Sequence, residues 1–228
     1  MMSKHVKIKD SDELFEVNNI FCIGKNYLDH IKEFGQTEKP EKPVVFLKPN
    51  SAIIKSGQKI AIPEYEGRKI SKSLHYETEL VVAIGRDGNS IREERAEEHI
   101  FGYAIGLDMT LRDIQSEAKQ KGHPWTTAKG FHTSAPLSEV ILRNKSIDPM
   151  NLDLELKINN IRKQYGNTSL MIFNIYKLIS YISSIFSLQK GDLIFTGTPV
   201  GVGEVRQGDL LKATLGNGLL KLIVEVDG

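Results

Sequence analysis

Apolar and polar positions alternate along most of this chain, and helical periodicity is confined to a few segments. LDLELKI, residues 152–158, alternates strictly, which predicts a half-buried strand, and Asn159-Asn160 provides a hairpin turn into IRKQYG. ETELVVAIG, residues 77–85, predicts another strand, with Glu77, Glu79, Val81 and Ala83 on one face and Leu80, Val82 and Ile84 on the other. NIFCIG, VVFLKP, KIAIP, FGYAIGLD and KGDLIFTGTP read as further strands, and DLLKATL and LLKLIVEV as two strands joined by Gly-Asn-Gly. EYEGRKISKS reads as a hairpin tip or a loop.

Helices are fewer. NYLDHIKEF, EERAEEH and TLRDIQSEAKQKG are helix-prone, the last closed by glycine. The most apolar window, LMIFNIYKLISYISSIFSL at 170–188, approaches the shortest membrane span. Asn174, Lys177 and several serines interrupt it, while Ile172, Ile175, Ile179, Ile182 and Phe186 recur at helical spacing, so it predicts a long core helix. The order of elements predicts an α+β, mainly β fold, without internal repeats.

Composition narrows the partners. Thirty basic residues against 29 acidic ones leave a net charge of +1, too little to hold nucleic acid or an anionic membrane. Small molecules or proteins are the expected partners. Cys22 is the single cysteine, so no intramolecular disulfide framework exists, and a reducing compartment, by default the cytoplasm, is expected. The charged N-terminus MMSKHVKIKDSDELFEV reads neither as a secretory signal nor as a transit peptide.

Four groups of residues carry candidate chemistry. Glu77 and Glu79 share a strand face and repel each other unless a cation compensates or the face is solvated. Asp108 ends an apolar stretch and is either a third oxygen ligand or a helix N-cap. Three carboxylates suit magnesium or manganese better than zinc. His30 and Glu33, three apart on a helix, form either a base with its orienting carboxylate or an ordinary solvated pair. Arg112, Gln115 and Lys129 could bind the oxygens of a small anion, or Arg112 could pair with surface acids and Lys129 be exposed. In TGTPVGVG, Thr198 and backbone N–H groups could hold an anion, although a plain loop is the alternative and no phosphate-binding GK[ST] ending follows.

GKNYLDHIKE, LHYETELVVAIG, GYAIGLDMTLRDIQ, PWTTAKGF and GDLIFTGTPVGVG follow one another in an order that resembles the fumarylacetoacetate hydrolase family, in its short acylpyruvate hydrolase and oxaloacetate decarboxylase type. The resemblance runs over about residues 17–226 and implies a mixed β-roll catalytic domain at 17–228, preceded by a segment at 1–16, that usually forms homodimers. It implies Mg2+, or Mn2+, on Glu77, Glu79 and Asp108, with His30 and Glu33 activating water on a helix that closes over substrate. Arg112, Gln115, Lys129 and Thr198 match positions that contact a small 2-oxo acid, with Lys129 and Gln115 steadying an oxyanion. The implied reaction is metal-assisted cleavage of the carbon–carbon bond of acylpyruvates through a pyruvate enolate, with oxaloacetate decarboxylation at the same site. Isomerases and hydratases of 2-oxo-alkenoates are related alternatives, and a metal-free binding protein of the same fold is another. His75 stands where many relatives carry aspartate and resembles the acylpyruvate-cleaving branch, whereas His132 replaces a frequent aspartate after KGF.

Overall fold

The strand Thr78–Ile84 is buried along its whole length, because both of its faces meet a core. In the computed structural model, which describes residues 4–33, 35 and 37–227, it lies inside an eight-stranded mixed sheet. The path runs Val44–Lys48, Ile20–Gly24, Leu193–Phe195, Thr78–Ile84, Ile100–Leu107, Ala135–Leu137 and Ile53–Lys55, with Ile141–Leu142 also pairing on Ile100–Leu107. Leu80, Val82 and Ile84 point into one apolar cluster, Val81 and Ala83 into a second, as the alternation predicts. The first cluster is shared with a five-stranded sheet, Ile161–Asn167, Asp153–Ile158, Leu210–Leu215, Leu220–Val226 and Lys59–Ile60, and includes Leu154, Leu156, Leu211 and Leu222. The sheet curls into a half barrel, and strands dominate over short helices, so the fold is α+β, mainly β, of the mixed β-roll type.

The second cluster is closed by the N-terminal hairpin Lys4–Lys7 and Leu14–Val17, whose Val6, Phe15 and Val17 pack with Ile20, Cys22 and Phe195. Turn chemistry follows the residues. Asn159 and Asn160 both take left-handed φ, 50° and 66°, between antiparallel strands, and Glu64–Tyr65 pairs with Arg68–Lys69 as a small hairpin. The segment Glu93–His99 is a 3-10 helix, and Arg112–Lys121 is an α-helix ended by Gly122 at φ 66°.

The long helix expected over 170–188 is shorter than its apolar spacing suggests. It spans Ile175–Ser183, because the Asn174 side chain accepts a hydrogen bond from Lys177 N and starts the helix there. Ile172 precedes it and Phe186 follows it, while Ile175, Leu178, Ile179 and Ile182 are fully buried. Each such side chain stabilises the fold by roughly 1.5–3 kcal/mol relative to exposure. Among the described residues, no helix is long and apolar enough to cross a membrane.

Candidate metal and active site

Strand pairing brings three acids together. Glu77 occupies the break between strands Leu74–Tyr76 and Thr78–Ile84, Glu79 is the second residue of the latter, and Asp108 follows Ile100–Leu107. The antiparallel register sets Thr78 opposite Leu107 and Glu79 opposite Gly106, and Asp108 N–H donates to the Glu77 carbonyl at 2.8 Å. Oxygens of all three carboxylates therefore lie within 4.8 Å of one another, and all three side chains are buried. Gly106 is required here for space, since a Cβ would meet the Phe195 ring at 2.5 Å. Asp108 is not an N-cap: the helix begins at Arg112 after Leu111, and no side chain caps it.

Three buried carboxylates need positive charge nearby. Lys129 Nζ donates to Glu77 Oε2 at 2.9 Å and to Asp108 Oδ2 at 2.6 Å. Arg112 Nη2 donates to Glu77 Oε1 at 2.5 Å, and Lys48 Nζ forms an ion pair with Asp108 Oδ1 at 2.8 Å. Lys129 is thus buried and engaged, and Arg112 pairs with an interior acid instead of surface ones. Burial pushes the Glu77 carboxyl up, but the charges of Lys129, Arg112 and His30 outweigh it and hold the group well below the usual range. Glu79 has the opposite balance. Burial and then the charges of Asp108 and Glu77 push it well up, opposed by the Gly197 N–H at 2.7 Å and by Lys129.

The donor set fits a hard divalent cation. It consists of carboxylate oxygens without nitrogen or sulfur, and buried Asp108 Oδ1 accepts no hydrogen bond, its contact with Lys48 being an ion pair alone. Lys129 bridges two of these carboxylates as a positive charge that a metal ion would join.

The helix Leu28–Glu33 supplies the second group. His30 Nδ1 lies 3.3 Å from Glu33 Oε2, and Glu33 Oε1 accepts from Gly201 N at 3.1 Å. Burial lowers the His30 pKa more than the charges of Glu77 and Glu33 raise it, so the imidazole is neutral near pH 7. His30 is buried, whereas Glu33 is exposed, so the imidazole alone is shielded from solvent. Asn26 fixes the approach to the helix by donating to the carbonyls of Phe173 and Thr196 and accepting from Phe173 N.

The TGTPVGVG loop spends its backbone donors on the chain's own acids, Gly197 N–H on Glu79 and Gly201 N–H on Glu33. Gly197 has φ 96°, and a Cβ there would approach Asn26 Cβ to 2.7 Å. The Thr198 hydroxyl donates to the Thr78 carbonyl and accepts from Gln164 Nε2, each at 2.9 Å. Arg112 Nη1 donates to Gln115 Oε1 at 2.7 Å. One cavity is lined by His30, Glu77, Arg112, Gln115, Lys129 and Thr198 together.

Sequence reasoning missed Lys48 and Gln164. Lys48 ends the strand Val44–Lys48 with its side chain buried and also donates to the carbonyls of Met109 and Lys129. A lysine closing an apolar run directly before proline was the available signal. Gln164 accepts from Thr78 N and donates to Thr198 and Pro199, bridging the two sheets, and nothing in IRKQYG marks it. His75 Nε2 lies 3.1 Å from Ser73 Oγ, and His132 is exposed.

Comparison with known proteins agrees with this geometry. The family model described as fumarylacetoacetate (FAA) hydrolase C-terminal matches residues 19–226. The chain belongs to the fumarylacetoacetate hydrolase family. It is 44% identical over 209 residues to the mitochondrial oxaloacetate tautomerase FAHD1 of Bos taurus, covering 92% of this chain and 91% of that one. Among solved structures, fumarylpyruvate hydrolase from Pseudomonas aeruginosa, in complex with Mn2+ and pyruvate, is 36% identical, with a TM-score of 0.93 over 100% of this chain and 97% of the other. The 2-hydroxyhepta-2,4-diene-1,7-dioate isomerase of Mycobacterium marinum is 35% identical, with a TM-score of 0.79 over 92% and 75%. The family comprises hydrolases, decarboxylases and tautomerases, so the chain is of an enzyme type that acts on small organic acids.

Proposed function

We propose that the chain hydrolyses the carbon–carbon bond of acylpyruvates such as fumarylpyruvate or acetylpyruvate, with Mg2+ or Mn2+, and acts on oxaloacetate at the same site. The observation that carries this is His30, paired with Glu33 and lining the cavity that also presents Glu77, Arg112, Gln115 and Lys129. The fumarylpyruvate hydrolase relative supports it, since pyruvate, its bound ligand, is what an acylpyruvate leaves on cleavage.

Glu77, Glu79 and Asp108 would hold the divalent cation, which supplies a Lewis acid toward the 2-oxo group and carboxylate of the substrate. Arg112 and Gln115, three apart on one helix and both lining the cavity, orient that carboxylate. His30, neutral and with Nδ1 turned to Glu33, takes a proton from water at Nε2, and Glu33 balances the imidazolium charge. The hydroxide adds to the distal carbonyl carbon, the bond to C3 breaks, and C3 takes up the proton held by His30, which gives pyruvate and a carboxylic acid and restores the neutral base. Lys129 steadies the oxyanion that develops during attack, with Gln115 beside it.

A second reading, oxaloacetate tautomerisation, is favoured by the 44% identity to FAHD1. It needs only the transfer of a proton between C3 and the 2-oxo oxygen, which His30 can carry without attack by water. The 2-oxo-alkenoate isomerase reading requires a similar proton shift. The proposal treats residues 17–228 as the catalytic unit, a homodimer as its assembly and the cytoplasm as its compartment, although the bovine relative is mitochondrial.

The test follows ultraviolet absorbance of acetylpyruvate, fumarylpyruvate and both tautomers of oxaloacetate, with chelator-stripped protein before and after Mg2+ or Mn2+. Metal-dependent loss of an acylpyruvate with release of pyruvate supports hydrolysis. Tautomer exchange alone replaces that reading with the second one, and inertness toward all of them refutes both.

A further inference from the structure

The tyrosine of NYLDHIKEF has no part in the reaction proposed above. Tyr27 stands three residues before His30 and is 2% exposed, yet its hydroxyl has no hydrogen-bond partner among the described residues. An unpaired buried hydroxyl costs free energy, and few native groups are left so. The backbone around it is fixed. Asn26 next to it is satisfied through Phe173 and Thr196, and the Asn26 carbonyl accepts from Ile172 N at 2.8 Å. Tyr27 itself bridges to Met171 and accepts from Ile31 N at 3.1 Å, so both its neighbours in the sheet and the start of the helix Leu28–Glu33 hold it in place.

The acid nearest in charge to this hydroxyl is the one that the lysines and the arginine leave out. Lys129 and Arg112 pair with Glu77, and Lys129 and Lys48 with Asp108, whereas Glu79 pairs with none of the three. Among the described residues its hydrogen bond comes from Gly197 N at 2.7 Å. Gly197 in turn packs on Asn26, so closely that a Cβ on it would stand 2.7 Å from Asn26 Cβ. The chain Tyr27, Asn26, Gly197, Glu79 thus links the tyrosine to the acid through direct neighbours. Burial pushes the Tyr27 pKa well up, and the charge of Glu79 pushes it further, so the hydroxyl keeps its proton. It is a donor held near a carboxylate without a hydrogen bond to it. A carboxylate that ligates a cation through one oxygen keeps further lone pairs, and donors to these orient it.

We propose that Tyr27 is a positioning residue of the metal centre, whose hydroxyl donates to the Glu79 carboxylate when a divalent cation is bound, directly or through one water, and so ties the His30 helix to the ion. This rests on the reading that Glu77, Glu79 and Asp108 hold the cation. A helix of six residues has little stability of its own, so an anchor at its first turn decides where His30 stands. The cation then settles the base as well as the substrate.

Tyr27→Phe removes the hydroxyl alone and tests this without relying on turnover. In chelator the variant is expected to melt at or above the wild-type temperature, because the deleted group leaves no partner unpaired. Isothermal titration with Mg2+ is expected to give an affinity about 10–100-fold weaker than that of the wild type, the usual effect of losing a donor to a ligating side chain. Hydrogen exchange reads the helix: Mg2+ should slow the Ile31 amide, which bonds to the Tyr27 carbonyl, in the wild type and leave it unchanged in the variant. Equal Mg2+ affinity in the two proteins overturns the proposal, as does a wild-type Ile31 amide that Mg2+ does not slow. A variant that melts lower in chelator also overturns it, since the hydroxyl then serves the fold without the cation. Failure of the underlying metal reading looks different: the wild type itself takes up no Mg2+ in the titration, which removes that reading and this proposal together, whereas Mg2+ binding indifferent to Tyr27 removes the proposal alone.

Discussion

Lys129 stands between two of the buried acids, where positive charge is most needed, so its removal tests the electrostatic account of the site. In Lys129→Met the side chain keeps nearly its length but loses its charge, and Glu77 Oε2 and Asp108 Oδ2 lose their shared donor. Breaking a buried ion pair costs about 3–5 kcal/mol. The lower end applies, because Glu77 keeps Arg112 and Asp108 keeps Lys48. For a chain of this size about 3 kcal/mol corresponds to a fall of roughly 6–12 °C in melting temperature. Circular dichroism melts in chelator should show that fall. Adding Mg2+ should then raise the variant more than the wild type, since Lys129 no longer shares those carboxylates. A hundredfold excess over the dissociation constant returns about 2.7 kcal/mol, nearly the whole deficit. If the variant melts within about 2 °C of wild type in chelator, a shift below 1 kcal/mol, Lys129 does not compensate the acids and the reasoning fails. Equal Mg2+ shifts in both proteins would refute the shared-site argument.

His30→Ala and Glu33→Gln should each lower acylpyruvate cleavage by about 10²–10⁴-fold, as loss of a general base does, while leaving the Mg2+ shift in melting temperature intact; loss of that shift would place the pair in metal binding instead. The His30 pKa lies below 6.5, so the neutral base persists as pH falls through that value, and the acid limb of kcat/KM should lie below pH 6.5 in wild type. Asn174→Ala removes the cap on Lys177 N and should cost about 1 kcal/mol, or roughly 2–4 °C, without altering Mg2+ binding; an unchanged melting temperature would mean that the helix does not depend on its cap.

The strands were legible where one periodicity acted alone. Val81 and Ala83 alternate with Leu80, Val82 and Ile84 because two cores compete for the same strand, and the pattern survives in the residues. The apolar window at 170–188 misled because its periodicity continues beyond the point where Asn174 begins the helix; a cap is a single hydrogen bond, and spacing does not record it. At the site, the acids and the dyad carried sequence signals, and the register of Thr78–Ile84 on Ile100–Leu107 explains why Asp108 joins Glu77 and Glu79. Lys48 and Gln164 were invisible for the opposite reason. Their roles arise from packing between segments far apart in sequence, Lys48 against Asp108 and Gln164 against Thr198, and no local pattern encodes such a meeting.

The parallel pairing of Ile20–Cys22 with Leu193–Phe195 bears on how the molecule is made. During synthesis the N-terminal strand emerges about 170 residues before its neighbour, an interval of roughly 9–35 s at 5–20 residues per second. Until then the edge of Ile20–Gly24 is held only by the outer strand Val44–Lys48, and Thr78–Ile84 has Ile100–Leu107 on one side alone. The loop that donates to Glu79 and Glu33 follows the late strand directly. The candidate site is therefore among the last parts of the molecule to be assembled, and a ribosome-bound chain ending before residue 193 carries every proposed metal ligand without the loop that holds Glu79.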